Sequence, residues 1–131
     1  MITPRPGERP VPPLAGAWVV ARVSGPSMSP TVRHGDRLLV RRVRAGRVAP
    51  GDVVLARFPA RPDLLVVKRV HALLDGGAVD VRGDNPLVTD DSRAFGPAVA
   101  VGRVVGRLSP RPGRLRPPPP PPAQPPAQPP A

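Results

Sequence analysis

A single lysine, Lys68, stands among the twenty basic residues of this chain, inside the apolar run Leu64-Leu65-Val66-Val67-Lys68-Arg69-Val70. The remaining basic residues are all arginine, which stays protonated in a protein, whereas a buried lysine can release its proton and serve as a base. Making a lysine neutral at physiological pH requires about 4 kcal/mol of desolvation, within what burial supplies. In a strand, Leu64, Val66, Lys68 and Val70 share one face and Leu65, Val67, Arg69 and His71 the other, so both faces are largely apolar. The same run also suits a lysine whose stem lies on apolar surface with its head in water.

The hydroxyl that such a base could activate lies upstream, in Gly25-Pro26-Ser27-Met28-Ser29-Pro30-Thr31. Pro26 fixes its φ and Gly25 is free in φ, so together they can present Ser27 on a stiff bend with backbone N–H groups left over for a developing oxyanion. Taken alone, Gly-Pro-Ser is equally a surface turn; Ser27 gains weight through Lys68. A third cluster, Gly83-Asp84-Asn85-Pro86 and then Thr89-Asp90-Asp91-Ser92-Arg93, is dense in groups that hydrogen-bond locally. It reads either as a loop with an Asp91/Arg93 surface pair worth under about 1 kcal/mol or as a buttress that orients the amine. Thr89 suits the orienting part, because a hydroxyl accepts from an ammonium without adding charge. A serine/histidine/carboxylate triad built on His34 or His71 stays formally open, although neither histidine sits in a recognisable motif.

These groups must be held by a small fold. Of 131 residues, the proline-rich segment 1–15 and the tail 110–131 read as disordered, leaving one domain over 16–109. Valine-rich stretches broken by glycine, proline and aspartate recur at Trp18–Val23, Arg37–Val43, Asp52–Phe58, Leu64–His71, Ala78–Arg82 and Val99–Leu108. That is a mainly β pattern, predicting a single small antiparallel β domain. The one helical turn expected covers Ser29 to His34, and the Gly35-Asp36 and Gly51-Asp52 units read as turn chemistry.

Composition narrows the function. The formal charge is +11, but with Trp18, Phe58 and Phe95 as the only aromatics there is neither a stacking surface nor a groove-reading element, so nucleic acid is not the expected partner. Cysteine is absent, and two histidines do not make a metal site, so no metal and no cofactor is expected. The longest apolar stretch before the turn, Leu14 to Ala21, is too short to span a bilayer and lacks a secretory layout. The expectation is a cytoplasmic protein with no membrane anchor.

In order, Val23-Ser24-Gly25-Pro26-Ser27-Met28-Ser29-Pro30-Thr31-Val32, His34-Gly35-Asp36, Pro50-Gly51-Asp52-Val53-Val54, Val67-Lys68-Arg69-Val70, Gly83-Asp84-Asn85 and Asp91-Ser92-Arg93-Ala94-Phe95-Gly96 resemble the type I signal peptidase family of serine/lysine proteases. The resemblance runs from about Val20 to Leu108 and implies a signal-peptidase catalytic core. It implies Ser27 as nucleophile, Lys68 as general base and the Ser27 N–H in the oxyanion hole. Thr89 would orient the lysine, Met28 would complete a Ser-Met box, and Asp84, Asn85, Asp91, Ser92 and Arg93 would support the site. Gly25 stands where some members supply a serine side chain to the oxyanion hole, and the anchor and large inserted domain of some bacterial enzymes are not seen.

Within that family, the run Phe58 to Arg69 resembles the soluble proteases that mature nickel-type superoxide dismutase. That likeness implies a protein substrate, the dismutase precursor, with the nickel belonging to the substrate. Two other readings share the residues: a self-cleaving repressor-type serine/lysine protease domain, and a non-enzymatic basic β-domain binding acidic protein or nucleic acid.

Overall fold

Valine supplies most of the strand-forming residues here because its branched side chain packs well on a pleated surface. The computed structural model describes residues 17–44 and 47–117. It contains strands β1 (Trp18–Arg22), β2 (Arg37–Arg42), β3 (Val53–Phe58), β4 (Arg61–Leu73), β5 (Val79–Arg82) and β6 (Val99–Ser109). All six lie in one sheet, in the order β1-β2-β6-β3-β4-β5, and every pairing is antiparallel. The mainly β expectation holds, and each expected strand is found within a few residues of its expected ends.

The helix is elsewhere. Residues 29 to 34 form turns rather than a helix: the one helical bond, Val32 N–H to Met28 C=O at 3.2 Å, is not continued. The only α-helix among the described residues is the single turn α1 (Ser92–Phe95), capped by Asp91 and ended at Gly96. A 3-10 turn at Asp75–Gly77 links β4 to β5.

Alternation along the strands separates two apolar clusters. On β3, Val53 and Leu55 join Val19, Leu38, Val40 and Met28, while Val54, Ala56 and Phe58 join Val66, Val70, Val79 and Val81. The sheet curls until β5 meets the chain just before β6, where Val79 and Ala98 exchange both backbone hydrogen bonds (2.9 and 2.8 Å). This closes β6, β3, β4 and β5 around the second cluster, which is why β3 and the middle of β4 are buried on both faces while β1 alternates buried and exposed. Phe95 on α1 packs on Phe58, ring centroids 5.2 Å apart.

The expected disordered segment 1–15 and the part of the tail beyond Pro117 lie outside the described residues. Residues 110–117, assigned to the tail by composition, instead turn back on β6. Gly113 pairs with Arg107 through both backbone bonds, and Leu115 packs against the first cluster.

Where β2, β6 and β3 lie side by side, Gly102 is in register with Arg42 and Leu55, and a Cβ there would overlap Val40 Cγ1. Overpacking of this kind costs about 1–3 kcal/mol. Gly102→Ala should therefore lower the urea midpoint, and adding Val40→Ala should recover part of the loss; additive losses would place the strain elsewhere.

Candidate active site

Ser27 sits in the loop joining β1 to β2, and the neck of that loop is closed by Val23 N–H to Asp36 C=O and Gly35 N–H to Val23 C=O, both 2.8 Å. Gly25 has φ of +89°, a backbone state that a side chain disfavours, so the loop turns sharply just before Ser27. The Gly25 N–H donates to His34 Nδ1 at 3.1 Å, which ties the two arms of the loop together. Beyond Ser27, Met28 and Val32 are buried in the first apolar cluster and anchor the bend from below. Ser27 itself is only 5% exposed, and its Oγ is buried without a hydrogen-bond partner. Among the described residues its N–H has no acceptor either.

The Gly83-Asp84-Asn85 segment after β5 grips this bend. A Cβ on Gly83 would overlap the Ser27 carbonyl oxygen, so only glycine allows the approach. The Asn85 N–H donates to the Ser27 carbonyl at 2.9 Å, Asn85 Nδ2 donates to the Pro26 carbonyl at 3.0 Å, and the Asp84 N–H points to Met28 Sδ at 3.4 Å. The Asp84 carboxylate accepts from Thr31 Oγ1 at 2.6 Å and from Arg69 Nε and Nη2 at 2.9 and 2.8 Å. Arg69 also donates to the Gly51 carbonyl at 2.7 Å. This buried pair links the loop, the end of β5, strand β4 and the turn before β3.

Lys68 is 1% exposed on β4, facing the same side as Val66 and Val70, so it is not a stem reaching into bulk water. It lines a cavity of about 170 Å³ together with Ser24, Gly25, Pro26, Ser27, Val88 and Asp90. Burial lowers its pKa from the ordinary 10.5; the negative charges of Asp91 and Asp90 oppose this, and Arg93 assists it. Between that depressed value and 10.5 the unfolded chain holds the extra proton, so this group makes stability rise with pH across the window.

Asp91 is fully buried and accepts from the Gly83 N–H (3.1 Å) and from Arg93 N–H, Nε and Nη2 (3.1, 3.0 and 2.7 Å). Burial alone would raise its pKa, but the hydrogen bonds from Arg93 and Gly83 outweigh it and hold the carboxyl below its ordinary value. Arg93 thus neutralises a carboxylate that would otherwise favour the charged form of Lys68. Ser92 Oγ accepts from the Val81 N–H at 2.9 Å and fixes α1 to β5. The Asp91/Arg93 pair therefore has one partner buried and is not a surface pair.

Thr89 stands apart. It is exposed, its hydroxyl makes no hydrogen bond among the described residues, and its neighbours Val88 and Asp90 line the cavity in its place. Ser27, Gly25 and Lys68 are brought to one cavity; Met28, Asp84, Asn85, Asp91, Ser92 and Arg93 are brought to its supports. Sequence reasoning missed Arg69, Thr31 and His34. Arg69 left one clue, a second charge inside an apolar strand run, but its partner depends on the return of the chain at Asp84. His34 gave none, since a histidine accepting from a backbone N–H leaves no pattern. Among the described residues no three metal-ligating side chains converge.

The antiparallel domain thus places a buried serine and a buried lysine at one cavity. Residues 15–85 match the family model described as signal peptidase, peptidase S26, and the chain belongs to that family. It is similar to the mitochondrial ATP-independent inner membrane protease subunit 1a of Arabidopsis thaliana, 36% identical over 99 residues that cover 57% of this chain and 59% of that protein. It is also similar to mitochondrial inner membrane protease subunit 1 of Xenopus tropicalis (32% identical, 66% of each chain) and of Homo sapiens (29% identical, 68% of this chain and 66% of that one). The chain thus spans roughly three fifths to two thirds of the length of these relatives. No solved structure matches. The expected cytoplasmic location is overturned by these relatives, which carry the name of a mitochondrial membrane; the short apolar stretch on which it rested covers only this chain's own residues.

Removing one partner of the Arg69–Asp84 pair strands a buried charge, which costs about 3–5 kcal/mol. Asp84→Ala should lose that much in denaturant unfolding, and Arg69→Met with Asp84→Leu should lose markedly less; equal losses would mean the pair is not coupled.

Proposed function

We propose that this chain is a serine endopeptidase of membrane-associated preproteins, with Ser27 as nucleophile and Lys68 as general base. The observation that carries the proposal is a serine Oγ, buried and unpartnered, lining the same small cavity as a desolvated amine. Neutral Lys68 takes the Ser27 proton as Oγ attacks the scissile carbonyl. The tetrahedral oxyanion is received by the Ser27 N–H, which has no other acceptor among the described residues. The lysine then passes its proton to the leaving amine, and a water activated by the same amine releases the acyl group from Ser27.

Gly25 offers no side chain to the oxyanion, and at φ of +89° a serine there would be strained, so backbone groups carry that role. The membrane-side setting follows the relatives' names. The described residues include no helix long and apolar enough to cross a bilayer. A narrower substrate, the precursor of nickel-type superoxide dismutase, has only the likeness of the run Phe58 to Arg69 behind it. That run is the end of β3, the hairpin turn and β4 up to the lysine, and the relatives' names lend that substrate no support.

Ser27→Ala and Lys68→Arg should each cut cleavage of a preprotein substrate by about 10³-fold or more while circular dichroism stays unchanged. Cleavage that survives in folded Ser27→Ala protein sinks the mechanism.

The base is active when neutral, so kcat/KM should rise with pH, with its midpoint below the 10.5 of an ordinary lysine, and fall away as pH drops through that midpoint. Arg93→Gln leaves the Asp91 charge uncompensated, which favours protonated Lys68 and should move the midpoint to higher pH; an unmoved profile would remove Arg93 from this role.

A further inference from the structure

A second cavity, of about 230 Å³, is lined by Thr31, Arg33 and Asp36 from the later half of the Ser27 loop and by Arg107, Arg111 and Arg116 from β6 and the chain beyond it. Four arginines therefore border one carboxylate. That carboxylate is already engaged: Asp36 Oδ2 accepts from the Arg33 N–H at 2.9 Å and from Arg107 Nη1 at 3.4 Å. Arg107 is fixed further by donating to the Thr31 carbonyl (3.2 Å) and the Arg111 carbonyl (2.8 Å). The side chains of Arg33, Arg111 and Arg116 have no carboxylate partner among the described residues, and all three residues are exposed.

The backbone that carries Arg111 and Arg116 is fixed. The Gly113–Arg107 backbone pair (2.8 and 3.0 Å), the Arg69 Nη2 bond to the Arg116 carbonyl (3.3 Å) and the packing of Leu115 hold the backbone of 111–116 against the cavity. Like charges held together repel, and an oxyanion between them removes the repulsion while giving each planar guanidinium a bidentate acceptor.

We propose that this cavity binds a phosphate-type oxyanion, either free or as the headgroup of an anionic phospholipid. Occupancy is felt at the nucleophile loop, because Thr31 accepts from Arg107 through its carbonyl and donates through its hydroxyl to Asp84. The binding itself does not depend on the chain being a protease.

The test uses the full chain at fixed ionic strength. One arm titrates inorganic phosphate by calorimetry; the other floats the protein with phosphatidylcholine vesicles with and without phosphatidic acid. The variant is Arg111→Gln with Arg116→Gln. A control, Arg42→Gln with Arg57→Gln on exposed strand positions, removes the same charge away from the cavity.

Saturable binding in either arm, weakened about ten-fold or more by the cavity variant and left nearly unchanged in the control, is the expected result. Phosphate binding without vesicle binding identifies a free anion, and vesicle binding that requires phosphatidic acid identifies a headgroup. No saturable binding in either arm overturns the proposal, and so does an equal loss in the two variants, which would mean diffuse attraction to a basic protein.

Discussion

An amine in the interior of a β domain must be paired, neutral or exposed, and the burial of Lys68 leaves only the first two. The nearest buried carboxylate, Asp91, is already saturated by Arg93 and the Gly83 N–H. The charge balance around Lys68 is therefore set so that desolvation prevails, and its pKa falls. Much of the surrounding architecture serves that balance. The curled sheet removes water from β4, α1 brings Arg93 to Asp91, and the Ser92 bond to Val81 fixes α1 to the sheet.

The second requirement is that Ser27 be held at the same cavity. A loop of this length between two strands would wander without cross-links, and here they come from residues far away in sequence. Gly83, Asp84 and Asn85 meet Pro26, Ser27 and Met28 almost one for one, by close approach, by backbone N–H to sulfur and by the Asn85 backbone and side-chain bonds. Arg69, next to the lysine on the opposite strand face, ties that grip to β4 through Asp84. Lys68 and the Ser27 loop are thus both held through one strand, the lysine by its burial and the loop by the Arg69 ion pair with Asp84.

Legibility in sequence followed how local each cause is. The strands could be read because valine-rich alternation and turn residues act over a few positions, as the agreement at β1, β2 and β5 illustrates. The expected helical turn at Ser29–His34 is reduced to the single Val32 to Met28 bond because the loop returns toward β2, whereas α1 follows a capping aspartate whose worth depends on burial. Ser27 and Lys68 could be singled out because a Gly-Pro bend precedes the one and an apolar run surrounds the other. The exposed placement of Thr89 could not be read, since it depends on a loop path that no spacing rule encodes.

Composition, period and residue type suffice for a β domain, a lone titratable amine in an apolar strand and a serine on a stiff bend, since each rests on contacts between neighbours in the chain. The joining of serine and lysine at one cavity, the Arg69–Asp84 tie and the gathering of arginines beside Asp36 required the folded chain. Each of these depends on desolvation and on charges brought together across tens of residues, and neither exists until the sheet has closed.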